Sequence, residues 1–203
     1  MLRLEHISHF YGQEGILHDI SLEIEEGSFT VITGESGSGK STLLSIVSTL
    51  LKPTEGKLYF DGLESRDIRH LNRFRKEEIG FVFQFHYLIS HLTVYENIAM
   101  ASNRTRQEIE ALLTSLDIAE LSGKYPDEIS GGQRQRAAIA RAMINEPKYI
   151  FADEPTGNLD SGNSQIVFDL LRGLDATVIV ASHDHSKIKP TDRVITLKDG
   201  RLC

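Results

Sequence analysis

The chain has 203 residues, a length at which one domain buries enough surface to stand without disulfides or structural metal. Its composition, 40% hydrophobic and 25% charged, is that of a globular protein and excludes disorder. Acidic side chains outnumber basic ones 29 to 22, and the net charge of −7 argues against a general affinity for nucleic-acid phosphates.

Residues 2–10 and 16–24 read as strands, the second alternating Ile20, Leu22 and Ile24 with Ser21 and Glu23. After a turn at Glu26-Gly27, the β-branched run Phe29–Thr33 suits a buried strand. Gly34-Glu35-Ser36-Gly37-Ser38-Gly39-Lys40-Ser41 follows, then an apolar helix over Ser41–Leu51 stopped by Pro53. This is the G-x-x-x-x-G-K-[ST] pattern between strand and helix that a P-loop requires. Its glycines let successive N–H groups face an anion, its lysine reaches the β- and γ-phosphates, and its hydroxyl, Ser41, suits Mg²⁺. Residues 57–60 read as a short strand turned at Asp61-Gly62. Five of the eleven residues from Arg66 to Lys76 are basic, a pattern that fits a solvated helix face better than a docking site.

The stretch 79–95 carries no Asp, Glu, Lys or Arg, but Gln84, His86, Ser90, His91 and Thr93 make it too polar to cross a bilayer. The N-terminus lacks the basic-then-apolar order of a signal peptide, and the single cysteine, Cys203, fits a reducing cytosol. Thr105 and Glu108 have capping-box spacing ahead of a face of Ile109, Leu112, Leu113 and Leu116. Ser130 and Gln133 repeat that spacing before an alanine-rich helix over 137–144. Tyr149–Ala152, Thr177–Ala181 and Val194–Leu197 read as strands around a helix at 165–171, an alternation that predicts an α/β sheet, at least partly parallel. The first of these strands ends in Asp153 and Glu154, where side chains meet the ligand crevice of such a sheet. The two acids point to opposite sides, so Asp153 is placed to hold Mg²⁺ and Glu154 to orient or deprotonate a water.

Ile129-Ser130-Gly131-Gly132-Gln133 closely resembles the signature motif of the ABC-type ATPases, commonly Leu-Ser-Gly-Gly-Gln, and lies just upstream of the acidic strand as in that family. Gln84 resembles the family's Q-loop glutamine, a Mg²⁺ or water contact. Asn158-Leu159-Asp160 resembles the D-loop, and His183 in Ala181-Ser182-His183-Asp184 the switch histidine at the γ-phosphate. Tyr11 stands where the family stacks an aromatic ring on adenine. The resemblance implies a P-loop NTPase of α/β class with a RecA-like core, an N-terminal antiparallel β-subdomain and a helical signature subdomain. Chain segments 1–84 and 145–203 would form the core and 85–144 the helical part of one domain over 1–203. It implies ATP and Mg²⁺ as ligands, with Gly34, Glu35, Ser36, Gly37, Ser38, Gly39, Lys40, Ser41 and Thr42 at the phosphates, and Ser41, Gln84 and Asp153 on the metal. Glu154, His183 and Lys40 would be catalytic, and Ser130, Gly131, Gly132, Gln133 and Asp160 would complete the site of a second copy in a head-to-tail homodimer.

The runs Phe83–Ile89, Leu92–Ile98 and Pro155–Ser161 resemble a bacterial branch of lipoprotein-releasing transporters, macrolide-efflux pumps and cell-division ATPases. Gln84-Phe85-His86-Tyr87 leans to the lipoprotein-releasing members. In that branch the ATPase drives separate integral-membrane permease subunits and sits in the cytoplasm on the inner membrane. A regulatory ATPase of a cell-division complex, moving no substrate, has the same motifs. ABC ATPases of DNA repair or translation usually add a second cassette, a coiled coil or zinc cysteines, and the charge balance disfavours nucleic acid. The stretch between Asn97 and Ser130 is shorter than the resemblance leads one to expect.

Overall fold

The computed structural model describes all 203 residues. β1 (Leu2–Tyr11) and β2 (Glu14–Ile24) form an antiparallel hairpin, and β4 (Glu55–Phe60) and β5 (Leu63–Glu64) extend it into a sheet of order β2-β1-β4-β5. Both hairpin strands carry a bulge. His6 and Asp19 take left-handed backbone (φ 52° and 55°) and pair Nδ1 to Oδ1 at 2.7 Å. The extra residue switches the inward parity, from Leu2 and Leu4 to Ile7 and His9 along β1, and from Leu17 to Ile20 along β2.

The second sheet has order β10-β9-β3-β8-β7-β6. β3 (Phe29–Thr33), β6 (Ile79–Val82), β7 (Tyr149–Asp153), β8 (Thr177–Ala181) and β9 (Arg193–Lys198) run parallel. β10 (Arg201–Leu202) returns antiparallel to β9 through the Asp199-Gly200 turn. β8 is buried at every residue, as a parallel strand covered on both faces must be. Sequence periodicity did not mark β6, which is only four residues long and contains Gly80. A Cβ at Gly80 would lie 2.4 Å from the Ala142 carbonyl, so the glycine lets a helix sit directly on the strand.

α1 (Lys40–Val47) lies between the two sheets. Its Leu43, Leu44 and Ile46 are fully buried with Leu2, Leu4, Ile20, Phe151 and Ile179, each roughly 1.5–3 kcal/mol of apolar burial. It stops short of the Leu51 expected from the apolar run, because Thr49 turns left-handed (φ 64°) and Arg75 donates to both its side chain and its carbonyl. α2 (Leu71–Glu78) holds most of the basic run. Arg73 pairs with Glu77 at 2.8 Å, and Arg66 donates to the Gly56 carbonyl at 3.3 Å. Arg66, Arg73 and Arg75 are thus each held by a partner within the chain.

α3 (Val94–Ala99), α4 (Arg106–Ser115) and α5 (Gly131–Met143) enclose an apolar cluster that includes Val94, Ile98, Ile109, Leu113 and Ile118. All three open on capping boxes: Thr93 with Glu96, Thr105 with Glu108, Ser130 with Gln133. α5 begins six residues ahead of the helix expected at 137, directly on its cap. Ala137, Ala140 and Ile144 at its end face the helical cluster, while Ile139 faces the sheet with Val82, Ile150 and Phe168. α6 (Ser161–Arg172) covers the same face of the sheet. No helix is long and apolar enough to cross a membrane.

Candidate nucleotide site

The loop after β3 is forced by space as well as by backbone angle. A Cβ at Gly34 (φ 149°) would lie 2.2 Å from the Leu197 carbonyl, and one at Gly39 (φ 100°) 2.8 Å from the Leu17 side chain. The loop therefore passes close over β9 and β2 and delivers its amides to the start of α1. That helix has Gly39 as N-cap, no side-chain cap and no acidic residue in its first turn, so its first N–H groups and the positive end of its dipole stay available to an anion. The Lys40 ammonium folds back onto the Gly34 and Glu35 carbonyls, both at 2.9 Å. Ser38 Oγ is buried with no partner in the same loop.

Across the cleft, the Ser41 hydroxyl donates to Asp153 Oδ1 at 3.0 Å. Burial pushes the Asp153 carboxyl above the usual carboxylate range, and the charge of Glu154 adds to this, while the Ser41 hydrogen bond and Lys40 only partly offset it. A hydroxyl and a half-buried, under-compensated carboxylate form a hard oxygen donor pair that fits Mg²⁺.

Glu154 has left-handed backbone (φ 44°), at a cost of about 1–3 kcal/mol for a residue with a side chain. Its N–H donates to the Ala181 carbonyl at 2.9 Å, and its carbonyl accepts from Gly157 N–H at 3.1 Å. The strained turn aims the carboxylate at His183, whose Nδ1 lies 2.9 Å from Glu154 Oε2. Gln84, just past β6, lies against Gly157, where a Cβ would meet its Nε2 at 2.8 Å. Gln135 of α5 donates to the Phe83 carbonyl beside it at 3.2 Å.

One cleft of about 620 Å³ is lined by Ser36, Gly37, Gly39, Lys40, Ser41, Thr42, Gln84, Glu154 and His183. The loop's other side, with Gly34, Glu35, Ser38, His183 and His185, lines an adjoining cleft of about 510 Å³. Tyr11 is outside both; it ends β1 half exposed, with its ring on the edge of His9 at 4.8 Å. Ile16 of β2 lines the first cleft, and sequence reasoning missed it, since an isoleucine in a strand reads only as core.

Ser130, Gly131, Gly132, Gln133 and Asp160 are also outside the clefts and form a group of their own. Ser130 Oγ accepts from Gln133 N–H at 3.3 Å, and Gln133 Oε1 accepts from Ser130 N–H at 2.8 Å. Gly132 faces α6 so closely that a Cβ would sit 2.5 Å from Asn163 Oδ1. Asp160 caps α6, accepting from Asn163 N–H at 2.9 Å and Nδ2 at 2.7 Å, and those bonds hold its carboxyl below the usual range. The open start of α1 lines the clefts, and the capped start of α5 lies outside them.

A family model described as ABC transporter matches residues 17–157. The chain belongs to the ABC transporter ATP-binding family. It is 45% identical to the lipoprotein-releasing system ATP-binding protein LolD 1 of Chlorobium chlorochromatii over 94% of this chain and 83% of the relative. Among solved structures it resembles the dimeric cassette MJ0796, described as a bacterial ABC transporter cassette, with a TM-score of 0.89 and 38% identity, covering all of this chain and 96% of the other. A post-hydrolysis dimer of the same cassette, bound to ADP and Pi, gives 0.88 and 37% over the same shares. The chain is accordingly an ATP-binding ABC ATPase of a transporter, with the α/β P-loop fold of that family.

Proposed function

We propose that this ABC ATPase works as a head-to-tail homodimer around two MgATP and drives separate membrane permease subunits of a lipoprotein-releasing system, from the cytoplasmic face of the inner membrane. The observation that carries the reading is the separation of the two anion-facing surfaces. Lys40, Ser41, Gln84, Glu154 and His183 share one cleft, whereas Ser130–Gln133 and Asp160 lie outside it, a separation that supports their completing another copy's site. The dimeric form of the cassette MJ0796 and the 45% identity to a lipoprotein-releasing relative support it.

In this reading the amides from Gly34 to Thr42 and the Lys40 ammonium bind the phosphates, and Tyr11 and Ile16 flank the base side. Lys40 exchanges its two backbone carbonyls for phosphate oxygens and neutralises charge that grows on the γ-phosphoryl in flight. Ser41, Gln84 and Asp153 would hold Mg²⁺, which supplies charge neutralisation at the phosphates when bound. Glu154 accepts the proton of the attacking water, and His183, on its Oε2, orients that carboxylate and meets the γ-phosphate. Ser130, Gly131, Gly132 and Gln133 of the second copy close the site, with its Asp160 across the interface. The helical segment 85–144 presents Phe85 and Tyr87, exposed to 56% and 62%, beside Gln84, an aromatic surface suited to a permease loop.

Glu154→Gln tests this reading. Turnover should fall by about 10²–10⁴-fold with ATP binding kept, and a dimer should accumulate with ATP on a sizing column. Purified from detergent-solubilised membranes with MgATP, the variant should bring down a permease with a large domain beyond the membrane. Near wild-type hydrolysis would sink the role of Glu154, and recovery of soluble chains alone would sink the permease.

A further inference from the structure

The loop that carries His183 has little to hold it. From His183 to Thr191 no residue is buried, and its backbone bonds are local, Ile188 N–H to the His185 carbonyl at 3.3 Å and Asp192 N–H to the Lys189 carbonyl at 2.9 Å. The Asp184 carboxylate caps its own turn, accepting from Ser186 N–H at 2.9 Å; on the β8 side, Asp184 N–H donates to Ser182 Oγ at 3.1 Å, and Ser182 N–H to the Ile32 carbonyl at 3.0 Å. From Asp184 to Asp192, every hydrogen bond or ion pair to another element ends on α6.

Three of those bonds converge on one side chain. Arg172, in the last turn of α6, donates from Nε and Nη2 to the two carboxylate oxygens of Asp192 at 2.8 and 2.7 Å, and from Nη2 to the Lys187 carbonyl at 3.1 Å. The Asp192 side chain is 1% exposed and that of Arg172 15%, so the fork works largely out of solvent. Asp192 Oδ2 also accepts from Lys189 N–H at 2.8 Å, and Asp169 of α6 receives Lys189 Nζ at 2.7 Å. Beneath the guanidinium, 4.8 Å from it, lies the ring of Phe29, the first residue of the strand that leads into the phosphate loop. At the other end of α6, Lys187 Nζ reaches the Ser161 carbonyl at 3.4 Å, next to Asp160.

We propose that Arg172 is a positioning residue for hydrolysis. Through Asp192 and the Lys187 carbonyl it fixes the loop on α6 and so sets the 2.9 Å approach of His183 to Glu154. The same helix starts at Asp160, so the place of His183 is referred to the element that meets the second copy. The inference rests on the role given above to His183. Its physical basis is that an exposed histidine at the end of a strand is aimed only as well as the loop behind it is held.

Arg172→Lys keeps the charge and the aliphatic stem but cannot make the fork and the third bond together. In the ATPase homodimer, its kcat should fall by about 10-fold or more with KM for ATP within about twofold, as expected for a misplaced group. The ring ¹⁵N resonances of His183 should move. Lys148→Met breaks the Lys148–Asp61 pair (2.9 Å) at the far end of the sheet and controls for lost stability; it should leave kcat and those resonances alone. Unchanged kcat in Arg172→Lys, or a loss of kcat with unmoved His183 resonances, overturns the proposal. Wild-type turnover by His183→Ala would instead overturn the role of His183, and is told apart because the resonance shift in Arg172→Lys does not depend on turnover.

Discussion

The starts of α1 and α5, both given to phosphate in the proposed function, are built in opposite ways. α1 has a glycine N-cap in left-handed backbone and no side-chain cap, so its end is open and Lys40 stands in it. α5 is closed on itself by Ser130 and Gln133. A second contrast sharpens the first. α3 and α4, in the same helical region, place a glutamate at the third helical position of the box, and α5 places glutamine. The cap is kept and the negative charge is left out, so the α5 terminus stays electropositive where α3 and α4 neutralise theirs. In the proposed function the open end holds the nucleotide, and the closed, uncharged end meets one brought by a second copy.

The comparison can be broken most sharply at α1. Lys40→Met should weaken ATP binding by about 10- to 100-fold in calorimetric titration, the worth of charge-assisted hydrogen bonds to the phosphates, since no other lysine or arginine lines that cleft. At α5, Gln133→Glu recreates the box of α3 and α4. Its melting temperature should hold or rise, yet turnover should fall by about 10-fold as a carboxylate faces the second copy's nucleotide; unchanged turnover would remove the charge argument. Ser130→Ala and Thr105→Ala should each cost about 1 kcal/mol in denaturant unfolding as lost caps, but only the first should slow hydrolysis.

The smallest effect on stability concerns Asp153. Its folded carboxyl titrates above the unfolded value, so the native state binds that proton more tightly and loses stability as pH rises through this range. Asp153→Asn should therefore raise the melting temperature at pH 7 without divalent cation, by about 2 °C, with the gain vanishing in acid, while MgATP hydrolysis is lost. A lower melting temperature at neutral pH would show that the Ser41 hydrogen bond outweighs burial.

Much of this was legible in the chain. The phosphate loop, the acidic end of β7 and the box at Ser130 are local chemistry, written in residues that sit next to each other. What escaped depends on contacts between distant segments. β6 is too short for a period to show, and its Gly80 makes sense only once α5 lies on it. The α3 box at Thr93 and Glu96 has the right spacing, but the helix behind it is only six residues long and shows no period. The left-handed turn at Glu154 has no sequence mark, because nothing in Asp153-Glu154-Pro155 requires it. The Arg172–Asp192 fork joins residues twenty apart that no local pattern connects.

α5 belongs to two apolar interiors at once, Ile139 in one and Ala137, Ala140 and Ile144 in the other. It serves as a party wall between the sheet and the helical region, and neither side can be taken down without it. Melting should therefore be a single event, one calorimetric endotherm with α3 and α4 losing amide protection together with β7. Substitutions on the two sides should add only when both spare α5.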